Sequence, residues 1–148
     1  MTKSDSSMRV ERAFAGKVAF FLLFFMFCGT LFSQGLSYRR PSTVADMVID
    51  EAMRYIGTPY RWGGKTPKGF DCAGFTRFVY SKFGVSLASS AGPQFKAGTK
   101  VSKEELCKGD LVFWGGRGNK RSIGHVGIVT SVDGDEFDFI HASSTGVR

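Results

Sequence analysis

From Thr43 onward the apolar positions fall into two regimes. Val44, Met47, Val48, Ala52, Tyr55 and Ile56 recur at helical spacing, and Gly57 stops the pattern. Thr43, with Asp46 three residues on, supplies capping chemistry for that helix. A second stripe of Phe75, Phe78, Val79 and Phe83 predicts a helix over 72–83, capped by Asp71 and ended by Gly84. Beyond residue 110 the period shortens. Residues 111–114 are a short apolar strand after Gly109-Asp110, and 115–122 a polar loop. Residues 123–130 and 136–142 read as two more strands, joined by a turn around Asp133-Gly134-Asp135. Between the regimes, Gly57-Thr58-Pro59-Tyr60-Arg61-Trp62-Gly63-Gly64 is a loop of turn formers and aromatics. Residues 85–108 show no regular period, with Ser89-Ser90-Ala91-Gly92-Pro93 at their centre. Helices followed by an antiparallel meander is the order of an α+β fold.

The N-terminal 35 residues have a different pattern. Lys3, Arg9, Arg12 and Lys17 precede an apolar stretch over 18–32, and Ser33, Gln34 and Gly35 follow it. A basic region, a short apolar region and small residues compose a secretory signal. The apolar stretch is short of the ~20 residues of a membrane span, which fits a secretory leader and leaves an uncleaved anchor as the alternative. Cys28 raises the question of lipidation, but Phe27 before it is bulky where a lipoprotein signal needs a small residue. Residues 1–35 are therefore expected to be a signal peptide or anchor, 36–42 a linker, and 43–148 one folded domain. A leader of this kind directs export across a membrane.

Composition adds two constraints. The chain has 148 residues, enough for one domain, and 43% hydrophobic residues with 15 Phe provide for a packed core. The net charge is +7, of which the first 35 residues carry +2, so the remainder holds +5. That surplus suits a membrane surface, a cell-wall polymer or another anionic setting. The basic residues are scattered and form no nucleic-acid motif, so nucleic acid is not an expected partner.

The candidate chemistry centres on Cys72. It stands where an extended segment meets a helix, and helix-start N–H groups favour thiolate over thiol, which predicts a lowered pKa. Two histidines follow, His125 and His141, each in a strand-like run. One Cys with two downstream His is the inventory of a thiol hydrolase. Cys107 reads as a small, partly buried apolar residue, and a Cys72–Cys107 disulfide is disfavoured. Trp62 and Trp114 read as packing residues. Three ligands without a fourth make a zinc site improbable; neither metal nor cofactor is expected.

The hairpin constrains this chemistry. A two-residue turn at Asp133-Gly134 would put His125 and His141 on opposite faces. A three-residue loop over 133–135, or a bulge that Gly134 can provide, sets His141 against Gly127. His125 then becomes its diagonal neighbour on the same face, roughly 7–8 Å away. A shared site requires the odd count.

Five stretches together resemble the NlpC family of bacterial cell-wall cysteine peptidases. They are Gly57-Thr58-Pro59-Tyr60-Arg61-Trp62-Gly63-Gly64, Phe70-Asp71-Cys72-Ala73-Gly74-Phe75, Lys108-Gly109-Asp110-Leu111-Val112-Phe113, Gly124-His125-Val126-Gly127-Ile128-Val129 and Ile140-His141-Ala142-Ser143. The resemblance implies a papain-like fold and hydrolysis of peptidoglycan stem peptides, commonly between γ-D-glutamate and a diamino acid such as meso-diaminopimelate. It implies Cys72 as nucleophile, His125 as base and His141 as the residue that orients His125. Tyr60 matches a tyrosine beside the thiol, Asp71 an acidic residue that binds the free amino end of the stem, and Ser90 a hydroxyl lining the same pocket. The chain departs from the pattern at Leu87-Ala88-Ser89, where the family carries Leu-Pro-Arg, and at Lys108, where it carries Pro. Relatives also continue further after His141, so the sheet is expected to lack an edge. An amidase or acyltransferase on the same thiol, or an inert wall-binding module, are the rival readings.

Overall fold

The computed structural model describes residues 9–12, 43–116 and 119–148. In chain order the elements are β1 (Arg9–Arg12), α1 (Val44–Met53), β2 (Lys65–Thr66), β3 (Gly69–Phe70), α2 (Cys72–Ser81), α3 (Ala91–Ala97), β4 (Thr99–Val101), β5 (Leu111–Gly116), β6 (Asn119–Asp133), β7 (Glu136–Ile140), β8 (Ala142–Ser143) and β9 (Gly146–Val147). This is the α+β arrangement expected: helices packed on an antiparallel sheet.

The two long helices begin where their side-chain chemistry dictates. At α1 the Thr43 hydroxyl accepts from the Asp46 N–H, and the Asp46 carboxylate accepts from the Thr43 N–H at 2.9 Å. The reciprocal pair satisfies two otherwise orphaned donors. At α2 the Asp71 carboxylate accepts from the Gly74 N–H. The apolar stripe of α1 is narrower than its periodicity suggested. Val48 and Ala52 are buried, but Val44, Met47 and Ile56 stand exposed, and the regular helix ends at Met53 rather than running on to Gly57. The α2 stripe holds better: Phe75 and Val79 are fully buried, with Phe78 and Phe83 packed against them.

Residues 85–108, irregular by pattern, contain α3 and β4. Pro93 falls in the first turn of α3, where its missing N–H costs nothing. Gln94, fully buried, explains why α3 sits where it does. Its amide donates to the carbonyls of Ala73 and Ala88, and its oxygen accepts from the Thr76 hydroxyl at 2.9 Å. One side chain thus ties α3, the 85–90 segment and the first turn of α2 together. Lone buried polar groups are costly, whereas this one is fully engaged.

The main sheet runs β4-β1-β5-β6-β7, all neighbours antiparallel. One face carries Leu111, Phe113, Val126, Ile128 and Ile140 into the core under α1 and α2. The other carries Val112 and Val129 with Leu106, Trp114, Phe137 and Phe139. The polar segment 115–122 is not a simple loop, because β5 reaches Gly116 and β6 starts at Asn119, with register shifts at Trp114/Gly115 and Gly115/Gly116. β1 comes from the segment read as the basic part of a leader, and it pairs with both β4 and β5. The apolar stretch, the linker and Cys28 lie outside the described residues. After His141 the chain forms the β8–β9 hairpin, which returns to the loop before Tyr60: the Val147 N–H donates to the Thr58 carbonyl and the Gly57 N–H to the Val147 carbonyl.

The β6–β7 register resolves the hairpin question differently from either turn considered. Asp133 pairs with Glu136, so the loop is the two residues Gly134 and Asp135. The odd residue is Thr130, an unpaired bulge between Val129, opposite Phe139, and Ser131, opposite Asp138. The bulge, not Gly134, restores the shared face. Gly134 has φ +57, which serves the tight turn.

Candidate active site

Cys72 is the first residue of α2 and is 9% exposed. Its sulfur lies against the backbone N–H groups of Val126, Ala73 and its own residue, which stabilise a negative charge. They do not prevail. Burial pushes the thiol's pKa up, and the charge of Asp71 adds to the rise. The lowered pKa expected from a helix start is therefore corrected to a raised one, because a sulfur withdrawn from water loses more than the local N–H groups return.

The segment before α2 is laced to it. The Asp71 carboxylate accepts from the Gly74 N–H at 2.6 Å through one oxygen and from the Gly63 N–H at 2.9 Å through the other. The Asp71 N–H donates to the Gly64 carbonyl. This approach is so close that a Cβ on Gly74 would lie 2.0 Å from the Gly64 oxygen. Phe70 donates to Pro59 and accepts from Arg61, which holds Tyr60 beside β3. Tyr60 is half-buried. Burial raises its pKa, with Cys72 and Asp71 contributing, so the three side chains share one neighbourhood. Trp62 does not pack: it is 92% exposed.

His125 and His141 meet on one side of the sheet, with His125 Nε2 2.7 Å from His141 Nδ1. Gly127 makes this possible, since a Cβ there would lie 2.9 Å from Phe139 and 3.4 Å from the His141 Cβ. Trp114 packs on both rings and Phe139 on His141, and both pKa values are pushed down to about 4. Burial is the main cause in each; His125 and Arg148 also lower His141. At neutral pH the pair is uncharged, one N–H being shared between the rings.

The two halves adjoin at the backbone of β6: His125 supplies the pair and Val126, the next residue, supplies an N–H to the thiol. Among the described residues no hydrogen bond joins the Cys72 thiol to His125. Ser90 is exposed at the N-cap of α3, with no side-chain capping bond. Cys107 is exposed rather than partly buried, and no disulfide joins it to Cys72. Sequence reasoning missed three residues that shape the site. Trp114 faces His125 directly across the β5–β6 ladder, a relation visible only once the register is known. Gly127 and Gln94 carry no local signal, because their roles come from what lies opposite them.

The site can hold a neutral thiol beside a neutral imidazole pair, with donors at a helix start. That is an arrangement for acyl transfer through sulfur. A family model described as NlpC/P60 family matches residues 57–148. Protein P54 of Enterococcus faecium is 47% identical over 100 residues, covering 67% of this chain and 18% of that protein. Gamma-D-glutamyl-L-lysine dipeptidyl-peptidase of Bacillus cereus is 41% identical over 86 residues, covering 58% of this chain and 26% of that protein. The chain thus corresponds to about a fifth to a quarter of the length of these curated relatives. Among solved structures, the NlpC/p60 domain of the peptidoglycan hydrolase SagA superposes with a TM-score of 0.62 at 40% identity, covering 72% of this chain and 87% of that one.

Proposed function

The chain belongs to the NlpC/P60 family, and from that membership we propose that it is an exported cysteine endopeptidase of peptidoglycan stem peptides. The bond is the amide between γ-D-glutamate and the diamino acid. The observation that carries the reading is the neutral His125–His141 pair, one residue along β6 from the N–H that touches the Cys72 sulfur.

The chemistry follows from the tautomers. His125 Nε2–H donates to His141 Nδ1, which leaves His125 Nδ1 as the basic nitrogen. Cys72 Sγ attacks the amide carbonyl while its proton passes to His125 Nδ1. A raised thiol pKa and a depressed imidazole pKa make this a proton transfer during attack, rather than a resting thiolate–imidazolium pair. The oxyanion accepts from the Cys72 N–H at the helix start and from the Tyr60 hydroxyl. Collapse breaks the C–N bond, the imidazolium proton goes to the leaving amine, and a thioester remains on Cys72. Water, deprotonated by His125, then hydrolyses the thioester and restores the thiol. His141 fixes the tautomer and bears part of the transient charge without a carboxylate. Asp71 keeps its two backbone bonds and presents its remaining lone pairs to the ammonium of a stem with a free N-terminus. Ser90 contributes at the outer edge of the same pocket.

Residues 1–35 act as the export segment and 43–148 as the catalytic domain, working in the cell envelope. A wall-binding module without turnover is the second reading, and the observation in its favour is the lack of a described Cys72–His125 hydrogen bond. In a structure without substrate such bonds are often long, so the first reading is preferred. Mass spectrometry of a muropeptide digest tests both. Products cut between γ-D-glutamate and the diamino acid are expected. Cleavage at another amide overturns the bond assignment, and an unaltered digest supports the binding module.

A further inference from the structure

We propose that Trp114 is a positioning residue for the histidine pair: its indole holds the two imidazoles in the orientation that keeps the His125–His141 hydrogen bond. The inference rests on the functional reading only for its kinetic consequence. The geometry stands alone. Trp114 is paired with His125 across the β5–β6 ladder, and their ring centroids are 4.5 Å apart at 52°. The same indole meets His141 at 5.5 Å and 61°. Phe139 closes the group, 5.3 Å from His141 and 5.2 Å from Trp114. The imidazoles themselves are 5.0 Å apart and nearly perpendicular, at 84°. Trp114 thus touches each of the other three rings.

An imidazole on a strand has two soft torsions, and one hydrogen bond to a second mobile ring does not fix either. Tilted and edge-on aromatic contacts at these distances restrict both. Such a restraint acts on orientation, which proton transfer needs to within a fraction of an ångström. The facing groups are uncharged on β5 and β7, namely Trp114 and Phe139. Arg148 acts on His141 from beyond β9, and the Cys72 thiol lies by Val126. When His125 takes a proton, the indole face also offers a favourable surface to the cation.

Trp114→Leu and Trp114→Phe separate positioning from space filling. The first readout is independent of turnover: the imidazole N–H signal of the His125–His141 bond in proton NMR at neutral pH. The second is kcat and KM on a stem tetrapeptide, with circular dichroism reporting the fold. Expected in Trp114→Leu is loss of the protected N–H signal and a kcat about 10-fold lower, with KM unchanged. Trp114→Phe should keep the signal and most of kcat, because a ring remains. Absence of the signal in wild type, its persistence in Trp114→Leu, or equal loss in both variants would overturn the proposal. A wild type that shows the signal and its Leu-specific loss but no peptide cleavage would leave this inference standing and defeat the functional reading.

Discussion

Nδ1 of His141 lies 2.7 Å from Nε2 of His125, and the two meet because β6 carries one residue more than β7 between them. Thr130 is that residue. Without the bulge, the pleat would turn His141 to the opposite face. Gly127, packed against Phe139 and the His141 Cβ, supplies the room. Gly127→Ala should force Phe139 aside, since the new Cβ would lie 2.9 Å from its ring and 3.2 Å from the Ile140 oxygen. The expected cost is about 1–3 kcal/mol of stability, measured by urea unfolding, with a fall in kcat. Unchanged stability and rate would mean that the pair tolerates repacking.

Acid should affect this protein through the same pair. Both histidines have folded pKa values depressed from 6.5 to about 4. The unfolded chain therefore binds more protons below pH 6.5, and stability rises with pH in that range. This contribution is fully present above pH 6.5 and is lost as pH falls toward about 4. The acid limb of kcat/KM should follow the protonation of the pair, close to pH 4 rather than 6.5. A limb centred at 6.5 would show an open, hydrated pair.

Asp71 has two structural bonds and a proposed third partner. Asp71→Asn leaves one of the Gly63 or Gly74 N–H groups without a full acceptor, which should cost about 1 kcal/mol of stability. The specificity prediction concerns charge. Wild type should prefer a stem tetrapeptide with a free N-terminal amine over its N-acetylated form by a factor of about 30 or more in kcat/KM, and Asp71→Asn should erase the preference. No preference in wild type would reduce Asp71 to a cap that joins α2 to the 61–64 loop.

The accessible thiol is the other cysteine. Cys107 is exposed, whereas Cys72 is buried with its pKa raised by that burial. A charged alkylating agent at pH 7 should label Cys107 first, and Cys72 should follow only slowly until the protein is unfolded. Peptide mapping of the labelled sites checks this. Faster labelling of Cys72 would show that the helix-start N–H groups outweigh burial after all.

What the sequence made legible was local. The Thr43–Asp46 capping box, the Asp71 cap and the stripe of α2 each depend on residues within a few positions of one another, so their physics is written in the spacing. The same holds for the motif residues around Cys72, His125 and His141. Features set by distant partners were not legible. The bulge at Thr130 has no glycine to mark it, and its existence follows from matching β6 against β7 over their whole lengths. α3 is short and carries Gly92 and Pro93, poor interior helix formers, but Gln94 fixes it through bonds to Ala73 and Thr76, some twenty residues earlier in the chain. Trp62 and Trp114 look alike in sequence, yet one is in solvent and the other packs on the histidines. β1 joins a sheet whose other strands lie some ninety residues or more away, a pairing for which one apolar residue among three charged ones gives no address.

Whether the Cys72 sulfur performs the cleavage is tested directly by kcat on a stem tetrapeptide for wild type and Cys72→Ala, with circular dichroism to confirm that both are folded. Removing a nucleophile that acts in concert with its base should lower kcat by about four orders of magnitude or more, while the thermal unfolding midpoint moves by only a few degrees. A folded Cys72→Ala protein that still cuts the peptide at a comparable rate would contradict the account.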